Sequence, residues 1–102
     1  MTPEGVIESY LTSRCEKLGF LCYKFVSPGN KGVPDRIVIG NGKTIFIETK
    51  KPGGAPRELQ EYVMKKMKKS GAIVYVADTK ENVDEILSTM LRKPKKRNVN
   101  KE

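Results

Sequence analysis

The chain has 102 residues, of which 37% are hydrophobic and 31% charged; this composition fits one soluble globular domain better than a disordered chain or a membrane protein. It has no run of 18 apolar residues and no basic N-terminal segment followed by an apolar one, so we expect no membrane span and no signal peptide. The formal net charge of +8 favours a polyanionic partner.

A first helix is predicted between Thr2 and Gly19. Thr2 supplies a capping hydroxyl, Pro3 suits the first helical position, and Glu4 is favoured there by the helix dipole. Gly19 then ends the helix as a C-terminal glycine. The apolar side chains that recur at helical spacing should face the core: Ile7, Leu11, Cys15 and Leu18.

Cys15 and Cys22 are the only cysteines, and the chain has no histidine. Two thiols cannot close a tetrahedral zinc site, so a structural zinc site of the cysteine–histidine kind is excluded. Both cysteines have apolar neighbours in the sequence, and we expect buried free thiols in a protein of a reducing compartment.

Three strands are predicted in the first half of the chain. Residues 21–26 alternate as a strand does, and the Pro, Gly and Asn content of residues 27–32 predicts a loop. Residues 36–39 are a short β-branched run, and Gly-Asn-Gly at 40–42 favours a hairpin turn because such turns need positive φ angles. Residues 43–48 then form the returning strand.

The second half is predicted to contain a helix, a strand and a further helix. Residues 57–70 should form the second helix, stopped by Gly71, after a break at residues 52–56. Residues 72–77 are a nearly continuous apolar run, which predicts a central strand covered on both faces. The apolar face of the second helix should consist of Leu59, Tyr62, Val63 and Met67. Its lysines are expected to form a solvated face: Lys65, Lys66, Lys68 and Lys69.

The third helix is predicted to begin at a capping box formed by Asp78 and Glu81. Residues 92–102 hold six Lys or Arg and one Glu, or +5 of the net charge, and we expect residues 93–102 to be a disordered basic tail. Residues 1–92 would then form a single domain. The order α-β-β-β-α-β-α predicts an α/β fold with a mixed central sheet and helices on its faces. The third helix should point four side chains inward: Val83, Ile86, Leu87 and Met90.

Two acidic residues and a lysine stand at the ends of the predicted hairpin. Asp35 opens one strand and Glu48 closes the other, so antiparallel pairing should place their carboxylates side by side at one rim of the sheet. Adjacent carboxylates raise each other's pKa unless a cation intervenes, and Mg²⁺ takes oxygen ligands of this kind. Lys50 lies two residues after Glu48, on the same strand face, and should adjoin that site.

These residues resemble the signature of PD-(D/E)xK nucleases: Pro34-Asp35, a twelve-residue gap, and Glu48-Thr49-Lys50. More narrowly, SPGNKGVPDR at residues 27–36, ETKKPGG at residues 48–54 and Leu59-Gln60 resemble the VRR-NUC family. The resemblance spans about residues 4–87. It implies the restriction-endonuclease-like αβββαβ core, here with an extra C-terminal helix.

The resemblance also implies roles for individual residues. Asp35 and Glu48 would bind Mg²⁺ or Mn²⁺ together with the carbonyl of Thr49. Lys50 would position or activate the attacking water, and Gln60 would face the site from the second helix. No small-molecule cofactor is expected.

A glutamate of the first helix usually completes the metal site of this family. Glu4 falls inside the apolar stripe of the helix, whereas Glu8 falls on its edge. Glu4 is also explained as an acid in the first helical turn. We therefore prefer Glu8 and keep Glu4 as the alternative.

The implied function is that of stand-alone VRR-NUC members: a metal-dependent DNA endonuclease that acts as a homodimer on branched DNA, notably four-way (Holliday) junctions. Its compartment would be the cytoplasm of a bacterial or phage-infected cell. Plain duplex DNA is a further expected partner. The alternatives are a general nicking or flap-type nuclease and a noncatalytic nucleic-acid-binding module. Phosphate contacts are expected beside the site, with ordinary loop chemistry as the alternative, at Ser27, Asn30, Lys31, Arg36 and Lys51.

Overall fold

The computed structural model describes residues 1–92. The predicted basic tail at residues 93–102 lies outside these described residues, so its disorder stays a prediction. Among the helices of residues 1–92, none is long and apolar enough to cross a membrane. In chain order the elements are α1 (Pro3–Leu18), β1 (Leu21–Lys24), β2 (Arg36–Gly40), β3 (Lys43–Thr49), α2 (Glu58–Lys69), β4 (Val74–Ala77) and α3 (Lys80–Leu91).

The four strands form one mixed sheet in the order β1-β2-β3-β4. Strand β2 is antiparallel to both β1 and β3, and β4 runs parallel to β3. The predicted turn is present, since Asn41 and Gly42 have φ angles of 51° and 74°. This tight turn sets the β2–β3 register, in which Arg36 pairs with Ile47. The residues just beyond that pair, Asp35 and Glu48, therefore meet at the open end of the hairpin.

The main core lies between one face of the sheet and helices α1 and α3. Ile45 and Ile47 of β3 join this core, together with the predicted inward residues of both helices. Because side chains alternate along a strand, Phe46 and Glu48 point to the opposite face. Helix α2 covers that second face, where Met64 is its one buried residue. The sheet thus separates the main apolar core on one of its faces from Glu48 on the other.

Several local predictions are wrong. Strand β4 is an edge strand rather than a central one, although Val74 and Ala77 are buried beneath the helices that cover its two faces. The cap of α3 is Thr79 instead of Asp78, since Thr79 Oγ1 accepts the Asn82 N–H at 2.9 Å. The backbone N–H of Asp78 is used instead in a bond to the Asn82 side chain.

The apolar face of α2 also differs from its prediction. Leu59 and Tyr62 are 51% and 60% exposed, whereas Met64, which was not predicted, is buried. Cys15 is buried as expected, but Cys22 is only half-buried, and both thiols are free. On α2, the spacing of apolar residues predicted a buried face that is wider than the part of the helix that the sheet covers.

Gly40 closes β2 against the ring of Phe20. A Cβ at Gly40 would overlap Phe20 Cδ1, and the ring is buried in the core and cannot move away freely. Gly40→Ala should therefore lower the free energy of unfolding by about 1–3 kcal/mol. Urea denaturation measures this, with Gly29→Ala as the control, because a Cβ at Gly29 meets no atom within 4 Å. Equal stability of the two variants would contradict the packing argument.

Candidate active site

Asp35 is held at the rim of the sheet by Thr49. Its Oδ1 accepts the Thr49 backbone N–H at 3.1 Å, and its Oδ2 accepts the Thr49 hydroxyl at 2.6 Å. Thr49 itself is fully buried. Sequence reasoning assigned only the Thr49 carbonyl a role and missed that this residue orients Asp35. No pattern in the sequence indicates such a bond, because it depends on the register between the two strands.

Glu48 lies beside Asp35 and is only 4% exposed. Its Oε2 is 3.3 Å from Lys50 Nζ and accepts a hydrogen bond of 2.8 Å from Gln60 Nε2. The structure thus brings together the four side chains that the sequence assigned to catalysis. It is Lys50, and not its exposed neighbour Lys51, that contacts the acid.

Gln60 is fixed from both ends of its amide group. While its Nε2 donates to Glu48, its Oε1 accepts the backbone N–H of Arg57 at 2.9 Å and so closes the first turn of α2. The helix start therefore determines where the amide donor points. This arrangement positions Glu48 without adding charge.

Both carboxyl groups have pKa values above the usual range. Burial is the main cause for each, since it penalises the charged form. The negative charge of Asp35 raises the pKa of Glu48 further, and Lys50 lowers it in part. For Asp35, the two bonds from Thr49 lower the pKa, and the charge of Glu8 raises it. The pair is thus a concentration of negative charge that its protein surroundings only partly compensate.

The two candidate glutamates of α1 occupy different places. Glu4 is exposed in the first turn of the helix. Glu8 Oε2 accepts two hydrogen bonds from Arg36, at 3.1 and 3.0 Å, and Glu8 lies close enough to Asp35 to raise its pKa. Within residues 1–92, no three Asp, Glu or Cys side chains converge as a ready-made metal cluster. Glu8 therefore stays the preferred candidate of the two as a prediction, and in this structure its carboxylate is engaged by Arg36.

The donor set suits a hard divalent cation. Asp35 and Glu48 offer carboxylate oxygens whose mutual repulsion a cation would relieve, and Mg²⁺ is often bound by only one or two carboxylates plus waters and phosphate oxygens. The observation that supports this fit is the placement of the two carboxylates, since the hairpin register sets buried Glu48 beside Asp35. A third carboxylate would be Glu8.

The residues expected to contact phosphate are spread around this rim. Ser27, Asn30 and Lys31 lie in the loop that leads to Asp35, where Asn30 N donates to the Ser27 carbonyl in a turn. Lys51 is exposed. The Arg36 side chain is only 12% exposed because of its pair with Glu8, so it lies behind the site rather than on the open surface. The phosphate contacts themselves stay predictions.

Gly54 is a further residue that supports the site. A Cβ there would lie 3.0 Å from the Lys51 carbonyl oxygen and 3.5 Å from Lys50 Cβ. The Gly54 N–H donates to the same carbonyl at 2.8 Å. The glycine therefore lets the chain turn tightly behind Lys50. The Gly53-Gly54 pair was visible in the sequence as part of a motif, but its contact with Lys50 was not.

Comparison with known proteins relates the chain to nucleases. No model of a protein family matches the chain. A protein of Acyrthosiphon pisum secondary endosymbiont phage 1, named "Putative nuclease p44", is 53% identical over 58 residues, or 56% of this chain. The match spans 62% of the length of that phage protein. A solved structure described as a VRR_NUC domain superposes with a TM-score of 0.79 at 31% identity, covering 86% of this chain and 97% of its own.

Proposed function

The chain belongs to the VRR-NUC family, and we propose that it is a metal-dependent, structure-selective DNA endonuclease. The observation that carries this proposal is the acid pair of half-buried Asp35 and buried Glu48, with Lys50 Nζ 3.3 Å from Glu48, at one rim of the sheet. A module that only bound nucleic acid would gain nothing from carboxylates facing phosphate. The restriction-endonuclease-like fold agrees with this reading.

The metal would be Mg²⁺ or Mn²⁺, held by Asp35, Glu48 and the carbonyl of Thr49. Glu8 would join it by exchanging its bonds with Arg36 for the cation. When bound, such an ion polarises the scissile phosphate and lowers the pKa of a coordinated water. The protein's own contribution is to hold these oxygen donors in a largely buried, preorganised position.

Lys50 would act directly on the reacting groups. Its ammonium group lies next to Glu48, so it can donate a hydrogen bond to the attacking water and stabilise the negative charge that develops on the phosphate. In-line attack of the water would form a new P–O bond and break one P–O bond of the backbone, which leaves a phosphate on one strand end and a hydroxyl group on the other. Gln60 is a positioning residue, because its amide bond at 2.8 Å sets the direction of the Glu48 carboxylate.

The substrate that we propose is branched DNA, above all the four-way junction, cut by a homodimer. Two-fold dimers are the commonest oligomers, and a two-fold enzyme would present two equivalent sites to the strands of a symmetric junction. The excess of basic residues supports a polyanionic substrate such as a DNA junction.

Cleavage assays with purified protein test the proposal. A labelled four-way junction, a flap and a plain duplex are incubated with Mg²⁺, with Mn²⁺ or with EDTA. We expect cleavage only with a divalent cation and fastest for the junction, by a protein whose mass in solution is that of a dimer. If none of the three substrates were cleaved, the proposed endonuclease activity would be refuted. A preference for the flap, or equal nicking of all three, would instead support a flap-type or general nicking nuclease.

A further inference from the structure

A groove runs along α2 beside the candidate active site. It lies between this helix and the loop before β2, and its volume is about 760 Å³. Such a volume is within the range of roughly 300–1,000 Å³ that is typical of small-molecule sites. The groove is thus large enough for a ligand of nucleotide size.

The groove and the acid pair share one sheet face and one helix. Phe46 lines the groove and precedes Glu48 by two residues on β3, so the two side chains point the same way at a separation of about 7 Å along the strand. Leu59, which also lines the groove, adjoins Gln60 on α2. A DNA strand whose phosphate lies at Glu48 would therefore have the groove within reach of its next nucleotides.

The lining of the groove is mostly apolar and includes three aromatic rings and two lysines. Phe25 and Phe46 pack edge to face at 5.1 Å, and Tyr62 stands beside them on α2, 60% exposed. Lys66 Nζ lies 5.4 Å from the centre of the Tyr62 ring, and Lys31 lines the groove from the loop. Among the described residues that line it, none is acidic. Grooves that bind single-stranded nucleic acid combine these same two elements, aromatic platforms and positive charge.

We propose that this groove binds unpaired nucleotides of the DNA substrate, with a base stacked on Tyr62 and the backbone phosphates near Lys31 and Lys66. The inference rests on the proposed function and adds to it a reason for structure selectivity. In plain duplex the bases are stacked inside the helix and cannot reach the ring. Unpaired bases at a branch point or flap can reach the ring, so the groove would favour such DNA.

Charge favours DNA over a second copy of the chain as the occupant. A two-fold contact brings the same surface of both copies together. Lys31 and Lys66 of each copy would then be buried against a cationic surface of the other, which is unfavourable. A polyanion instead neutralises both lysines. Self-association through the groove is the competing outcome that the test below detects.

Binding in EDTA tests the groove without any cleavage. Fluorescence anisotropy compares a single-stranded oligonucleotide with a duplex of the same length. Tyr62→Ala should weaken single-strand binding about tenfold and leave duplex binding nearly unchanged, because stacking on one ring contributes to the first alone. Tyr62→Phe should keep the affinity. Tyr23→Ala is the matched control, since Tyr23 is 54% exposed and does not line the groove.

A tryptophan substitution gives a direct signal from the ring. The chain contains no tryptophan, so Tyr62→Trp introduces one fluorophore in the groove. Single-stranded DNA should quench its emission by stacking, and duplex should not. Unchanged single-strand affinity of Tyr62→Ala, together with unquenched Tyr62→Trp emission, would overturn the proposal. If Tyr62→Ala turned a dimer into a monomer and kept its DNA affinity, the groove would be a self-interface instead. Because no step depends on cleavage, failure here is separate from failure of the proposed nuclease activity.

Discussion

Lys50→Ala is expected to cleave DNA at least about 100-fold more slowly than the native chain under single-turnover conditions with saturating Mg²⁺. The ammonium group of Lys50 is the one cation among the described residues in contact with Glu48. Without it, no side chain at this position can hold the attacking water or stabilise the charge on the phosphate. The affinity for DNA in EDTA should fall much less than the rate, because a single lost phosphate contact weakens binding only modestly.

Lys17→Ala provides the control for the loss of one positive charge. Lys17 is exposed in the last turn of α1 and makes no contact with the acid pair. Its variant should cleave at the native rate. Equal rates for Lys50→Ala and the native chain would refute the role given to Lys50. A slower rate explained wholly by weaker DNA binding would reduce Lys50 to a phosphate contact.

Glu48→Gln is expected to abolish cleavage and also the thermal stabilisation that Mg²⁺ gives to the native protein. A ligand that binds only the folded state stabilises it by mass action. At a Mg²⁺ concentration about 100 times its dissociation constant, the melting temperature of the native chain should rise by more than about 10 °C. The variant lacks one of the two carboxylates of the pair, so its shift should be close to zero. Differential scanning fluorimetry with and without Mg²⁺ measures both.

The same substitution should stabilise the metal-free protein at neutral pH. Burial and the charge of Asp35 raise the pKa of Glu48 in the folded state above its unfolded value. The stability that protonation of Glu48 contributes is therefore fully present below the unfolded pKa, and it is lost as the pH rises through the folded pKa. A neutral amide avoids this loss and still accepts bonds from Lys50 and Gln60. The advantage of Glu48→Gln should thus be largest at neutral pH and shrink as the pH falls.

Glu16→Gln is the matched control, because Glu16 is exposed on α1. Its melting temperature should respond to Mg²⁺ as that of the native chain does. An equal Mg²⁺ shift in Glu48→Gln and the native chain would place the cation elsewhere. A metal-free Glu48→Gln that melts below the native chain at neutral pH would show that the ion pair with Lys50 outweighs the cost of burying the charge.

Local signals were sufficient for much of the site. The Asn41-Gly42 turn allows a single register, and that register brings Asp35 and Glu48 together whatever packs around them. Strand alternation likewise sets Lys50 on the face of Glu48. These relations depend on backbone geometry over a few residues, so sequence reasoning could predict them.

Sequence reasoning could not predict the contacts between elements that are distant in the chain. The choice of Glu8 over Glu4 depends on how α1 crosses the sheet beside Arg36, and both residues are compatible with the helix itself. The hydrogen bonds from Thr49 to Asp35 depend on the relative position of β2 and β3 in the folded chain. The exposure of Tyr62 depends on how far the sheet extends beneath α2.

Local turn chemistry and strand or helix periodicity were enough to predict the order of the elements, the hairpin register and the three residues at its open end. Three further features depend on the packing of the whole chain: β4 lies at the sheet edge, Glu8 pairs with Arg36, and a groove with aromatic side chains in its lining opens along α2. Periodicity indicates which face of a helix or strand is apolar. Whether a partner covers them is a property of the whole packed chain, and the uncovered part of α2 is where the proposed DNA contact lies.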